Sequence, residues 1–144
     1  MATIWIWNTQ TWQRARWSAL PKNHAVFSLS FSPDGSTLAS ANSTDVKFWE
    51  PSTGRVLRTL SSGSKVPASV VFSPDGSGLA SGGAGTIDLW DTKSYDKLFT
   101  LAGHSDDEMF PLAFSPDGRW LASAGFDGTV MVWERRDWSG ASHT

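Results

Sequence analysis

The chain has no cysteine, which excludes disulfide bridges, thiol catalysis and thiolate metal sites. It has no apolar run near the roughly 18 residues that a membrane helix needs. Its first residues, Met1-Ala2-Thr3-Ile4-Trp5, lack the basic and long apolar segments of a secretory leader. The expectation is a cytoplasmic protein that makes no use of a membrane. Excess charge of one sign is missing too: twelve lysines and arginines stand against fourteen aspartates and glutamates, for a net charge of −2. That balance leaves no footprint for nucleic acid or an acidic membrane surface. The pairs Arg14/Arg16 and Arg135/Arg136 are too small to alter this and read as solvated strand edges.

Catalytic motifs are also absent. There is no Gly-x-Ser-x-Gly and no Walker loop. Gly76-Ser77-Gly78 is followed by Ser81 where a dinucleotide fingerprint needs glycine, and it leads into a strand, not a helix. His24, His104 and His143 are scattered without metal-ligand spacing. No cofactor is expected, and no enzyme. No run of twelve residues carries helical periodicity.

What the chain does have is repetition, together with nine tryptophans. Phe-Ser-Pro-Asp-Gly occurs at Phe31–Gly35, Phe72–Gly76 and Phe114–Gly118, in steps of 41 and 42 residues. Each copy follows an alternating run whose apolar face is Phe27/Leu29/Phe31, Ala68/Val70/Phe72 or Phe110/Leu112/Phe114. Period two means strand. Pro-Asp-Gly then makes a tight turn: proline presets φ, aspartate bonds the backbone ahead, and glycine accepts positive φ. A second strand of small residues follows, Leu38-Ala39-Ser40, Leu79-Ala80-Ser81 and Leu121-Ala122-Ser123, suited to a crowded place between layers. A third strand closes on tryptophan plus an acid, at Trp49-Glu50, Trp90-Asp91 and Trp133-Glu134. A more polar fourth strand is expected near Arg55–Leu60 and Tyr95–Leu101. Thr3–Trp7 looks like one more copy of the third strand, with Trp7 aligned to Trp49, Trp90 and Trp133.

Four short strands per unit, ending Trp-Asp or Trp-Glu, make a propeller blade. The chain resembles the WD-repeat family over nearly its whole length. The resemblance rests on the three turns, the Leu-Ala-Ser strands, the tryptophan–acid pairs and Gly103-His104. It implies an all-β propeller with three four-stranded blades: repeats at 21–60, 61–101 and 102–136, spare strands in 1–20, and a flexible tail at 137–144. It also implies that His104, Ser123, Asp127 and Trp133 form a buried structural hydrogen-bond chain, not a catalytic triad. The first two repeats depart from this pattern, with Ser43 and Ala84 at the aspartate position and Pro21 and Ser62 at the histidine position.

Closed propellers have roughly four to eight blades, and three cannot close a ring. Each repeat buries its faces only against neighbours, so end blades leave a face wet. The expectation is closure by copies of the chain: a homotrimer of nine blades is favoured, with a homodimer of six as the alternative. Thr11–Trp17 would supply a neighbour's missing fourth strand, and Thr129–Trp133 would displace residues 1–8. The functional expectation is a non-catalytic scaffold for a protein or peptide partner. Loop residues such as Lys22, Asn23, Lys65, Asp106, Asp107 and Glu108 would line its faces, although the acidic run also reads as merely solvated. The alternatives are a building block of a larger propeller with no function of its own, or small-ligand or glycan binding at the ring axis.

Overall fold

The computed structural model describes residues 2–20, 25–61, 67–105 and 111–135. Thirteen strands run through them: β1 (Ala2–Trp7), β2 (Arg14–Leu20), β3 (Val26–Phe31), β4 (Leu38–Asn42), β5 (Asp45–Glu50), β6 (Arg55–Ser61), β7 (Ser69–Phe72), β8 (Gly78–Gly83), β9 (Thr86–Asp91), β10 (Lys97–Ala102), β11 (Leu112–Phe114), β12 (Trp120–Ala124) and β13 (Val130–Glu134). They form two four-stranded antiparallel meanders, β3-β4-β5-β6 and β7-β8-β9-β10, a three-stranded sheet β11-β12-β13, and a hairpin β1-β2. These are blade one, blade two, blade three and an N-terminal half-blade.

The repeated turn explains the regularity. In the first copy the Ser32 N–H donates to Thr37 O at 2.8 Å and the Gly35 N–H to Ser32 O at 2.9 Å. Asp34 Oδ1 accepts from the Ser32 hydroxyl and from the Ser36 amide and hydroxyl. Gly35, Gly76 and Gly118 sit at φ of 73°, 75° and 72°, where a side chain would strain the backbone. A short peptide therefore carries all the information its turn needs, and repeats it unchanged.

Successive blades stack face to face. Ala39, Ala41, Val46, Phe48 and Leu60 of blade one share a core with Val70, Phe72, Leu79 and Trp90 of blade two. Ala80, Ile87 and Leu89 of blade two meet Leu121, and half-buried Phe114 and Trp133, of blade three. The second strands lie between two neighbours, so Ala39, Ala41 and Ala80 are fully buried and no larger residue fits without overpacking. Along the first strands, serine hydroxyls bridge blades: Ser28 Oγ accepts from the Val70 N–H, and Ser30 Oγ from the Phe72 N–H, each at 3.1 Å. Ser69 Oγ accepts from the Leu112 N–H at 3.2 Å.

The flanks differ from the interior. Val70 and Phe72 are buried by blade one, but their counterparts Leu29 and Phe31 are 52% and 53% exposed. The half-blade covers blade one through its third-strand copy: Ile4 is buried against Leu38 and Trp49, with Ile6 and Val26 beside it. The same relation holds Val46 on Leu79 and Trp90, and Ile87 on Leu121 and Trp133. The slot that sequence reasoning gave to a neighbour's Thr129–Trp133 is thus filled by the chain's own β1, because isoleucines at positions 4 and 6 match its apolar surface. β2 pairs with β1 and not with β13, which is an edge strand among the described residues.

Candidate interaction site

The structure gathers the four residues of the third repeat. His104 follows β10, Ser123 lies on β12, Asp127 lies in the β12–β13 turn, and Trp133 lies on β13. His104 Nε2 is 2.8 Å from Ser123 Oγ, which also accepts from Trp133 Nε1–H at 3.4 Å. His104 Nδ1 stands 3.4 Å from Asp127 Oδ2. Thr129, absent from the sequence-based set, completes the cluster: its hydroxyl donates to Asp127 Oδ1 at 2.6 Å and lies 3.3 Å from His104 Nδ1. The Thr129 hydroxyl and amide, together with His104, hold the Asp127 carboxyl below its ordinary range. The serine hydroxyl is held by its two neighbours in the buried part of a blade. It ties the turn to the sheet.

Blades one and two keep only the inner half of this arrangement. Trp49 Nε1–H donates to Ser40 Oγ at 2.8 Å and Trp90 Nε1–H to Ser81 Oγ at 2.9 Å. Their second turns are secured differently. In blade one, buried Asn42 accepts from the Thr44 and Asp45 amides and donates to Asp45 Oδ1 at 2.7 Å. In blade two, Ala84 and Gly85 make a two-residue hairpin with φ of 51° and 82°, the mirror-image turn that suits strand twist. Buried Asp88 on β9 was also missed from sequence. Its Oδ1 accepts from the Thr100 hydroxyl at 2.7 Å, while its Oδ2 has no partner among the described residues.

Lys22, Asn23, Lys65, Asp106, Asp107 and Glu108 all lie outside the described residues. Trp7 is on exposed β1, with the Arg14 guanidinium over its ring and that of Trp5. Arg135 is no solvated strand edge: its Nη1 and Nη2 reach across a blade junction to Asp75 Oδ2 and Ser77 Oγ at 3.1 and 3.0 Å. Partial burial pushes the Asp75 carboxyl up, but hydrogen bonds from Ser73 and Ser77 and the Arg135 charge outweigh it and hold the group well below the usual range. One junction earlier a cavity of about 240 Å³ lies between the first two Pro-Asp-Gly turns. A second, of about 210 Å³, lies between β1 and the open side of β3.

Comparison with known proteins agrees with this geometry. The family model for the WD domain, G-beta repeat, matches residues 18–50, 54–91 and 95–134. The chain is 28% identical over 136 residues to Arabidopsis thaliana "Cell division cycle 20.1, cofactor of APC complex", covering 92% of this chain and 30% of the relative. It is 37% identical over 115 residues to the Arabidopsis thaliana "Transcriptional corepressor LEUNIG_HOMOLOG", covering 78% and 14%. It is 33% identical over 113 residues to Homo sapiens "DDB1- and CUL4-associated factor 10", covering 76% and 20%. The chain therefore spans less than a third of the length of these relatives. Three matched repeats, each running from the fourth strand of one sheet through the first three strands of the next blade and ending on a tryptophan bonded to the serine of the second strand, make this chain a member of the WD40 repeat family.

Proposed function

We propose that the chain is a non-catalytic, cytoplasmic scaffold for protein or peptide partners, working as blades of a ring that several copies complete. One observation carries the assembly. Val46 and Ile87 are buried by the next blade, whereas Val130, in the same place on blade three, is 71% exposed. Each interior junction shows what chemistry covers that place: a leucine and a tryptophan of a following blade. Two relatives are named for complexes, one as a cofactor of the APC complex and one as DDB1- and CUL4-associated, which supports protein partners. A scaffold also suits a fold whose one Ser-His-Asp cluster among the described residues ties a turn.

Nine blades from three chains remain the favoured ring, six from two the alternative. A neighbour's β13 would have to lift the β1-β2 hairpin from blade one. The second reading, that these blades are one sector of a longer propeller, is favoured by the relatives' greater length. Light scattering over a range of concentrations tests the first. Copies of a 15.7 kDa chain give about 47 kDa as a trimer or about 31 kDa as a dimer. A 15.7 kDa particle at every concentration refutes self-assembly.

A further inference from the structure

The junctions between blades repeat closely enough for one to be read from the next. At the second junction the residue after Trp133-Glu134 is Arg135. Its N–H donates to Arg119 O at 2.7 Å, and its guanidinium grips Asp75 Oδ2 and Ser77 Oγ. It runs beside Gly118, where a Cβ would lie in ordinary contact, 3.6 Å from Pro74 Cδ and 3.8 Å from Arg135 Nη1.

The first junction has the same frame. Thr92 follows Trp90-Asp91, and its N–H donates to Ser77 O at 3.1 Å. A Cβ on Gly76 would lie 3.5 Å from Pro33 Cδ. Asp34 reproduces Asp75: each Oδ1 accepts from the preceding serine hydroxyl at 2.6 Å, and from the amide and hydroxyl of the serine two residues on at 3.0 and 2.8 Å. Among the described residues only the guanidinium is missing. Thr92 is too short to supply one, and its hydroxyl is turned away to Gly76 O at 2.5 Å. The cavity of about 240 Å³ opens there, with Asp34 and Ser36 on its wall and Phe48, Phe72 and Tyr95 around it. Asp34 Oδ2, the counterpart of the oxygen that Arg135 holds, has no partner among the described residues.

We propose that this cavity receives an arginine side chain of a peptide or protein partner, seated as Arg135 is seated one junction later. The proposal rests on the scaffold reading and names the chemistry of its partner. The pair formed by Asp34 Oδ2 and Ser36 Oγ asks for a planar fork with two donors, which arginine has and the point charge of lysine lacks. The aromatic rings favour a cation near them. Arg58 stacks over Tyr95 at 5.2 Å and lies outside the cavity wall, so the entering cation belongs on the Asp34 side.

The probe is the tripeptide acetyl-Ala-Arg-Ala-amide, titrated into the full chain while the backbone amides of Asp34, Ser36 and Thr92 are followed by NMR. One residue in an open cavity binds weakly, with Kd on the order of a millimolar. The neutral citrulline peptide and the Asp34→Asn chain are expected to bind at least about fivefold more weakly, because each removes the charge-assisted pair. Thr92→Arg should abolish binding, since its own side chain then fills the cavity. Should Thr92→Arg not fold, Asp34→Asn and the citrulline peptide decide. Silent amides at peptide saturation, equal binding of citrulline, or undiminished binding by Asp34→Asn overturn the proposal. The titration needs neither ring nor natural partner. An oligomer that ignores arginine therefore sinks only the pocket, and a monomer that binds arginine sinks only the assembly.

Discussion

Val46 is fully buried and Val130, its counterpart on blade three, is 71% exposed. The difference is entirely one of neighbours: Val46 meets Leu79 and Trp90 of the following blade, and no described blade follows Val130. Val132, 60% exposed, repeats the contrast with Phe48 and Leu89, each 1% exposed. If this flank joins copies, Val132→Asp should reduce the mass in solution to that of one chain and shift the melting temperature of the single chain by only a few degrees. Leu89→Asp, the same change in a covered place, should unfold the protein, since burying an unpaired carboxylate exceeds the stability of a small domain. An unchanged oligomer mass for Val132→Asp removes this flank from the interface.

The hairpin on blade one makes an opposing demand. β1 covers Leu38 and Trp49 through Ile4, so it occupies the surface that another copy would need. Deleting residues 1–8 should expose that surface and shift assembly to lower protein concentration. Loss of the oligomer on deletion shows instead that β1 is part of the closed ring.

Ser123 Oγ has two hydrogen-bond partners, Trp133 Nε1 and His104 Nε2, where Ser40 Oγ has one, Trp49 Nε1. Ser123→Ala leaves both Trp133 Nε1–H and His104 without their shared partner, and about 1–3 kcal/mol of unfolding free energy should be lost. Ser40→Ala removes the one hydrogen bond from Trp49 Nε1–H to Ser40 and should cost about 1 kcal/mol. Urea denaturation separates the two. Equal losses imply that the histidine adds nothing.

Sequence reading succeeds here where the information is local. Phe-Ser-Pro-Asp-Gly specifies its turn by itself, and period-two alternation specifies the strands on either side. It fails where the partner is far along the chain. Arg135 looks like a solvated cation because nothing near it in sequence shows that Asp75 waits across a blade junction. Asp88, which nothing in its local sequence singles out, is buried with Thr100 as hydrogen-bond donor. The gaps at Ser43 and Ala84 read as missing aspartates. The structure shows two other ways to secure a turn: an asparagine one residue earlier, and a mirror-image hairpin. Thr129 was legible in principle, since a threonine two residues after an aspartate in a turn is placed to donate back to it.

Ala84 is the strained member of its turn. With φ of 51° it holds a left-handed backbone that alanine disfavours and asparagine tolerates. Ala84→Asn turns the loop into Asn-Gly, the pair best suited to this hairpin, and should raise stability by about 0.5–1 kcal/mol. Thermal denaturation checks it. A lower melting temperature means that the left-handed backbone is not kept in solution.

The turn aspartates set the response to acid. Hydrogen bonds from Ser32 and Ser36 lower the Asp34 carboxyl from 3.8 to about 2. Ser115 and Arg119 likewise hold Asp117 down, and Thr129 with His104 holds Asp127 down. A carboxyl lowered in the folded state adds stability above its unfolded pKa and loses it as the pH falls through the folded value. The melting temperature should therefore fall as the pH drops from about 4 towards 2. Asp34→Asn should lower the melting temperature near neutral pH and flatten the decline below pH 4, because the group that must take up a proton is gone. These groups lie at the surface, so each contributes a small part. The donors are mostly hydroxyls and amides, so added salt should leave most of the decline in place. A melting temperature that rises between pH 4 and pH 2 contradicts the turn geometry itself, since the serine hydroxyls could then not be donating to ionised carboxylates.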